Sequence, residues 1–108
     1  MALREQSYLV LLALSEGPLH GYGVIKAVRE LSEERVRLGA GTLYGALDRL
    51  TEAGLARVVS EEVVDGRNRR YYELTAQGAE LLTEETARLT RLAATAQRRL
   101  GARLLPGT

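Results

Sequence analysis

The chain has 108 residues, 45% of them hydrophobic and 27% charged, with a formal net charge of +1, which suits one domain around one core and excludes indiscriminate attraction to polyanions. It has no cysteine, so disulfide staples and thiolate chemistry are excluded. Its longest apolar run, Tyr8 to Leu14, is far too short to span a bilayer, and no signal-peptide pattern opens the chain, so no membrane association is expected and the cytoplasm is the default location.

Residues 4–16 predict a mostly buried first helix through Tyr8, Leu9, Leu11, Leu12 and Leu14, ended by Gly17-Pro18. Residues 21–32 predict a second, with Val24, Ile25, Val28 and Leu31 at helical spacing and Lys26, Arg29 and Glu30 toward the opposite side. Ser32 to Gly41 reads as a connection in which Val36 to Leu38 can form one short strand. A third helix covers Thr42 to Ala53, with Leu43, Leu47 and Leu50 on its apolar edge. Its other face holds Thr42, Gly45, Asp48, Arg49 and Glu52. Thr42 is the expected N-cap and Gly54 the expected C′ residue. Leu55 to Val64 favours a strand, Asp65-Gly66 signals a hairpin, and Arg67 to Leu74 returns as its partner. Thr75 can cap a last helix from Ala76 to about Leu104. Its apolar stripe is Leu82, Leu89, Leu92, Ala93, Ala96, Leu100 and Leu104, and Pro106 to Thr108 should fray.

Three helices, a hairpin and a long extra helix predict a mainly α (α+β) chain: a winged helix-turn-helix with a two-stranded wing and a long C-terminal dimerisation helix. Residues 1–74 would be the DNA-binding domain and residues 75–108 the dimerisation helix, in one compact unit. The third helix is short and small-faced, as a helix entering the major groove must be. The last helix carries more apolar surface than the small domain can cover. A homodimer through Leu82, Leu89, Leu92, Ala93, Ala96 and Leu100 would cover it.

Each candidate contact has a plainer reading beside it. Thr42 and Tyr44 can meet phosphates or base edges, or Thr42 only caps and Tyr44 only packs. Arg49 can bind phosphate or guanine, or pair with Glu52 or Asp48. His20 and Tyr22 open the second helix, whose free N–H groups suit a phosphate; alternatively His20 caps and Tyr22 packs. Lys26, the only lysine, lies one turn on. Of the wing arginines, strand alternation separates Arg69 from Arg70, and Arg67 and Arg69 are favoured for DNA. The wing charges can instead be balanced by Glu61, Glu62 and Asp65. Arg88, Arg91, Arg98, Arg99 and Arg103 read as the solvated face of a dimerising helix, free to meet Glu80, Glu84 and Glu85 of a second copy. Residues 1–74 carry ten basic and eleven acidic groups, so DNA contacts must rest on local clusters. That balance also supports a rival reading, a winged-helix protein–protein interaction module without DNA readout.

Four ordered motifs resemble one family. His20-Gly21-Tyr22-Gly23-Val24-Ile25 is similar to the second-helix signature of PadR-family transcriptional regulators. Gly41-Thr42-Leu43-Tyr44-x-Ala46-Leu47-x-Arg49-Leu50 resembles their recognition helix. Gly54-Leu55, followed by Gly66-Arg67-x-Arg69-Arg70-Tyr71-Tyr72-x-Leu74-Thr75-x-x-Gly78, resembles their wing and the start of their last helix. The resemblance runs from about Leu9 to Leu82. It implies a winged-helix homodimeric repressor of double-stranded DNA operators and adds Gly41 to the contact set. It also implies a small hydrophobic or phenolic effector near the dimer interface, for which Tyr8, Leu89 and Ala93 are the candidate pocket. The chain departs from the family at Gly45, where proline is usual, and at Asp48, often lysine. Its last helix has neither Trp nor Phe, so a pocket that sandwiches flat drugs between tryptophans is not expected.

An enzyme is not expected. One histidine at a turn, no cysteine and no convergent carboxylates leave no nucleophile–base pair, no metal site and no cofactor to assign. Gly39-Ala40-Gly41 lacks the Lys-Ser/Thr of a phosphate loop.

Overall fold

The computed structural model describes residues 3–104 and builds them around the leucine-rich first helix, α1 (Glu5–Leu14). Leu9, Val10, Leu11, Ala13 and Leu14 are all buried. They cover most of the helix circumference, as befits a helix enclosed on several sides. The second helix, α2 (Gly21–Leu31), and the third, α3 (Ala40–Glu52), bring Val24, Val28, Leu43, Leu47 and Leu50 to the same core. Strand β2 (Ala56–Val64) and strand β3 (Arg67–Leu74) form the wing, and α4 (Ala76–Leu104) leaves it as a long arm packed at its root on α1. The expected fraying of Pro106 to Thr108 lies outside the described residues.

Two differences from the sequence reading concern strands. Val36 to Leu38 forms none; it is an irregular link, tied where the Val36 N–H donates to Ser32 Oγ at 2.9 Å, and Leu38 is buried in the core. The extra strand lies earlier. Leu19–His20, β1, pairs antiparallel with Tyr72 and Tyr71 of β3. The sheet is therefore three-stranded, in the order β1-β3-β2, where a two-stranded wing was expected. Two residues are too few to show the alternation that identifies a strand.

The third helix begins two residues earlier than predicted. Gly39 is its N-cap and makes no side-chain cap bond. Thr42 is thus not the cap but lies exposed in the first turn. At the other end, the Gly54 N–H donates to Thr51 O at 3.0 Å and the Leu55 N–H to Leu50 O at 2.9 Å. With Gly54 at φ +79°, these are the two bonds of a Schellman stop. The Asp65-Gly66 turn has φ of +52° and +77°, the double left-handed conformation that matches the strand twist of a tight hairpin. Thr75 caps α4 as expected, accepting from the Gly78 N–H at 3.0 Å.

Along α4 the predicted stripe divides. Leu82 is buried in the chain's own core, which removes it from the dimerisation set. It packs there because the first turns of α4 lie against α1. Leu89, Leu92, Ala93, Ala96 and Leu100 are exposed. Glu85 is buried too. It accepts from the Leu3 N–H at 3.0 Å and pairs with Arg88 of its own chain, so it is not free to meet a second copy's arginines.

Candidate nucleic-acid interface

The N-terminal ends of α2 and α3 and the tip of the wing converge on one groove of about 590 Å³. His20, Tyr22, Tyr44, Arg67 and Arg69 line it, so five of the nine predicted DNA-contact residues come together from three separated segments. Tyr22 and Tyr44 are exposed, at 69% and 45%. Large aromatic side chains left open beside free guanidinium groups are poorly explained by core packing.

Each side chain is held there by the local fold. His20 is the N-cap of α2: its Nδ1 accepts from the Gly23 N–H at 3.0 Å. In the neutral ring, that bond leaves the proton on Nε2, a donor atom. The His20 ring also meets Tyr71 edge-on, with centroids 5.4 Å apart and planes at 73°. Tyr44 lies across the start of α2. A methyl group added at Gly21 would overlap the Tyr44 hydroxyl and sit 2.8 Å from its Cζ. Only a bare backbone at Gly21 leaves room for the Tyr44 ring in this position. The α3 N-terminus has no side-chain cap, so its first-turn N–H groups are available to an anion.

The wing arginines separate as the strand alternation predicted. Arg70 pairs with Glu61 at 3.1 Å. Among the described residues, neither Arg67 nor Arg69 has a carboxylate partner, and both line the groove. Asp65 lines it as well, a negative group at the wing tip that tempers the positive field.

The other four candidates lie apart from that groove. Gly41 and Thr42 are exposed at the start of α3. Arg49 has no ion-pair partner among the described residues, and a methyl at Gly45 would sit 3.5 Å from its Nη1. The guanidinium thus folds back along the helix over Gly45. Lys26 lines a different groove, between α1 and α2, with Glu16 and Glu30.

The candidate effector residues are only partly assembled in one chain. Tyr8 is bonded to Thr86 Oγ1 at 2.6 Å. Since the Thr86 hydroxyl donates to Leu82 O at 2.8 Å, Tyr8 is the donor. Leu89 and Ala93 lie further along α4 with their side chains exposed. Among the described residues, no cluster of His, Asp or Glu is placed to hold a metal ion, and no helix is long and apolar enough to cross a membrane.

Sequence reasoning missed Glu85, Tyr71 and β1. A glutamate in a polar run reads as solvated until the fold brings the Leu3 N–H to it. Tyr71 stands in the wing motif, but neither the motif nor strand alternation signals that its hydroxyl bonds Glu62.

Known proteins share this fold. The chain is 48% identical over 66 residues to Transcriptional regulator Rv3488 of Mycobacterium tuberculosis, a match covering 60% of each. A PadR family transcriptional regulator from Eggerthella lenta superposes with a TM-score of 0.71 at 30% identity, over 87% of this chain and 80% of that one. Bacillus subtilis PadR, solved in complex with operator DNA, has the same fold, with a TM-score of 0.66 at 23% identity over 75% of this chain and 46% of that one. The chain spans between 25% and 60% of the length of the curated relatives it matches. Residues 10–84 match the Transcriptional regulator PadR-like family, and with the winged-helix fold and the grooved face between helices and wing the chain belongs to that family of regulators, which are not enzymes.

Proposed function

We propose that the protein is a homodimeric repressor that reads a two-fold symmetric double-stranded DNA operator in the cytoplasm. The observation that carries this reading is the groove in which unpaired Arg67 and Arg69 face the exposed Tyr22 and Tyr44 at two helix starts. Tyrosine hydroxyls, backbone N–H groups and arginines are the usual donors to phosphate oxygens. The operator complex of the Bacillus subtilis protein supports the same use of the fold. Asp48 and Glu52 are exposed on α3, so the helix enters the major groove by its N-terminal end, with Gly41, Thr42 and Tyr44 leading. His20 and Tyr22 meet the flanking phosphates, while Arg49 and Lys26 reach the backbone from the margins.

The exposed apolar positions Leu89, Leu92, Ala93, Ala96 and Leu100 pair two arms, setting the recognition helices about 34 Å apart for successive major grooves. A small hydrophobic or phenolic effector would lie by Tyr8, Leu89 and Ala93, where a second chain is needed to enclose it. Release of DNA by such compounds tests that part.

Fluorescence anisotropy tests DNA binding, comparing DNA upstream of the protein's own gene with a scrambled duplex at about 150 mM salt. A preference of roughly a thousandfold is expected. The slope of log affinity on log salt should be near −5 to −7 for about six to eight neutralised phosphates. Replacing Arg67 and Arg69 with Ala should weaken binding and make that slope shallower by roughly one per lost contact, with the fold intact. Equal weak binding to both duplexes, repeated with duplexes selected from random sequence, would instead favour a protein-docking module, the reading that the net acidic residues 1–74 support.

A further inference from the structure

Two carboxylates of β2 face the arginines of β3, and the placement of each decides how many of those arginines stay free. Glu61 lies opposite Arg70 and pairs with it at 3.1 Å. Glu62 lies opposite Arg69, where an opposite-charge cross-strand pair is favourable. No such pair forms. The Tyr71 hydroxyl donates instead to Glu62 Oε1 at 2.8 Å, along the diagonal of the ladder. Tyr71 and Arg69 are two residues apart on β3 and so share one face. Both can reach one carboxylate, and only the tyrosine bonds it, which fixes where that carboxylate sits.

The ring that carries this hydroxyl is braced from the helix side. His20 stands edge-on to Tyr71 and is its partner in the β1–β3 ladder. His20 is in turn fixed by the Gly23 N–H at 3.0 Å. The start of α2 therefore sets the position of the tyrosine in the wing.

We propose that Tyr71 is a positioning residue for DNA binding: its hydroxyl holds Glu62 off Arg69 and leaves that guanidinium free for a phosphate. This rests on the DNA reading above and adds to it a residue that touches no DNA. The chemistry favours a phenol for the task. A neutral donor satisfies the carboxylate without using up a cation, whereas a Glu62–Arg69 pair would cancel a charge that phosphate binding needs.

Tyr71→Phe keeps the ring against His20 and removes only the hydroxyl. The probe is a duplex selected from random sequence by the wild-type protein. Binding by Y71F should be about tenfold weaker at about 150 mM salt, with a slope on log salt shallower by about 1 to 2 per dimer. Circular dichroism and melting should match wild type. Glu62→Gln should restore affinity and slope in Y71F, and should raise affinity less in wild type than in Y71F. In an Arg69→Ala background, Y71F should change nothing further. Unaltered affinity in Y71F, or no rescue by E62Q, overturns the proposal. A DNA-free readout separates this failure from that of the DNA reading: hydrogen exchange at Arg69 Nε–H, followed by nitrogen-15 NMR, should slow in Y71F as Glu62 docks on it. If it does not, the clamp is absent whatever the DNA result. If it does and the wild type prefers no duplex, the DNA reading fails and the clamp's role in binding fails with it.

Discussion

Two glycines define how tightly this molecule is joined. A Cβ on Gly78 would overlap the Leu55 carbonyl oxygen and sit 2.9 Å from Leu55 C. Both atoms are backbone, at the point where the Thr75 N–H also donates to Leu55 O at 3.1 Å, so no side-chain rotation can relieve the overlap. Gly78→Ala should destabilise the fold by at least about 2 kcal/mol. Urea unfolding should show the lower midpoint with an unchanged slope. Gly21 is a different case, because the group in its way is the tip of a half-exposed tyrosine. Gly21→Ala should change stability by no more than about 1 kcal/mol, since Tyr44 can swing outward. It should nevertheless cost about tenfold in operator affinity, the scale of one lost specific contact. Melting and anisotropy on the same sample would separate the two effects. Equal losses in both would mean that Tyr44 matters only for packing.

Among the elements, the joint between α4 and the segment that leads into α1 rests on a carboxylate. The Glu85 pKa is held below its ordinary value, first by the hydrogen bond from Arg88 and then by the Leu3 N–H. A depressed folded-state pKa means that its stabilisation is fully present above the unfolded carboxylate value of about 4.3. It is lost as pH falls through the lower folded value. Glu85→Gln should therefore melt below wild type at neutral pH, and the gap should close on acidification below about pH 4. A gap that is constant with pH would show that the charge is not the cause. This contact was invisible in the sequence, where Glu85 is one of two adjacent glutamates in a polar turn. What could be read beforehand was whatever repeats or caps locally: the leucine spacing of α3, the Asp65-Gly66 turn, Gly54, and Thr75 at the head of α4. The N-terminus of α3 was misplaced because Gly39 caps without a side chain, leaving Thr42 as the nearest residue with a hydroxyl. Leu82 was assigned to a partner because helical spacing gives a stripe but not where along it the chain's own core ends. The groove was legible as a set of residues but not as a place. His20, Tyr44 and Arg69 come from distant segments, and only the sheet and the helix crossing bring them together.

At the scale of the whole molecule, the shape is set by α4. The described residues extend 59 × 27 × 21 Å, an elongation no compact domain of this size would have. Beyond Thr86 the arm carries Leu92 at 57% exposure and Leu100 at 42%. In the proposed dimer these are covered, so Leu92→Glu should give a monomer by sedimentation at micromolar concentration. Its helical content should be unchanged, because the position contributes within about 0.5 kcal/mol to the single chain. A variant that remains dimeric would move the interface elsewhere. The arm's root is where its geometry acts. The Thr75 hydroxyl donates to Gly54 O, at the stop of α3, at 2.6 Å, and its oxygen accepts from the Gly78 N–H in the first turn of α4. One hydroxyl thus serves the last turn of one helix and the first of the next, making the pair a rigid crank. An arm of 29 residues is about 43 Å long, so a tilt of about 5° at the root sweeps its far end through roughly 4 Å. In the proposed dimer, with two such cranks coupled at their arms, an angular change too small to break a bond at either root would alter the span between the α3 helices by ångströms, enough to carry them out of phase with successive turns of a DNA duplex.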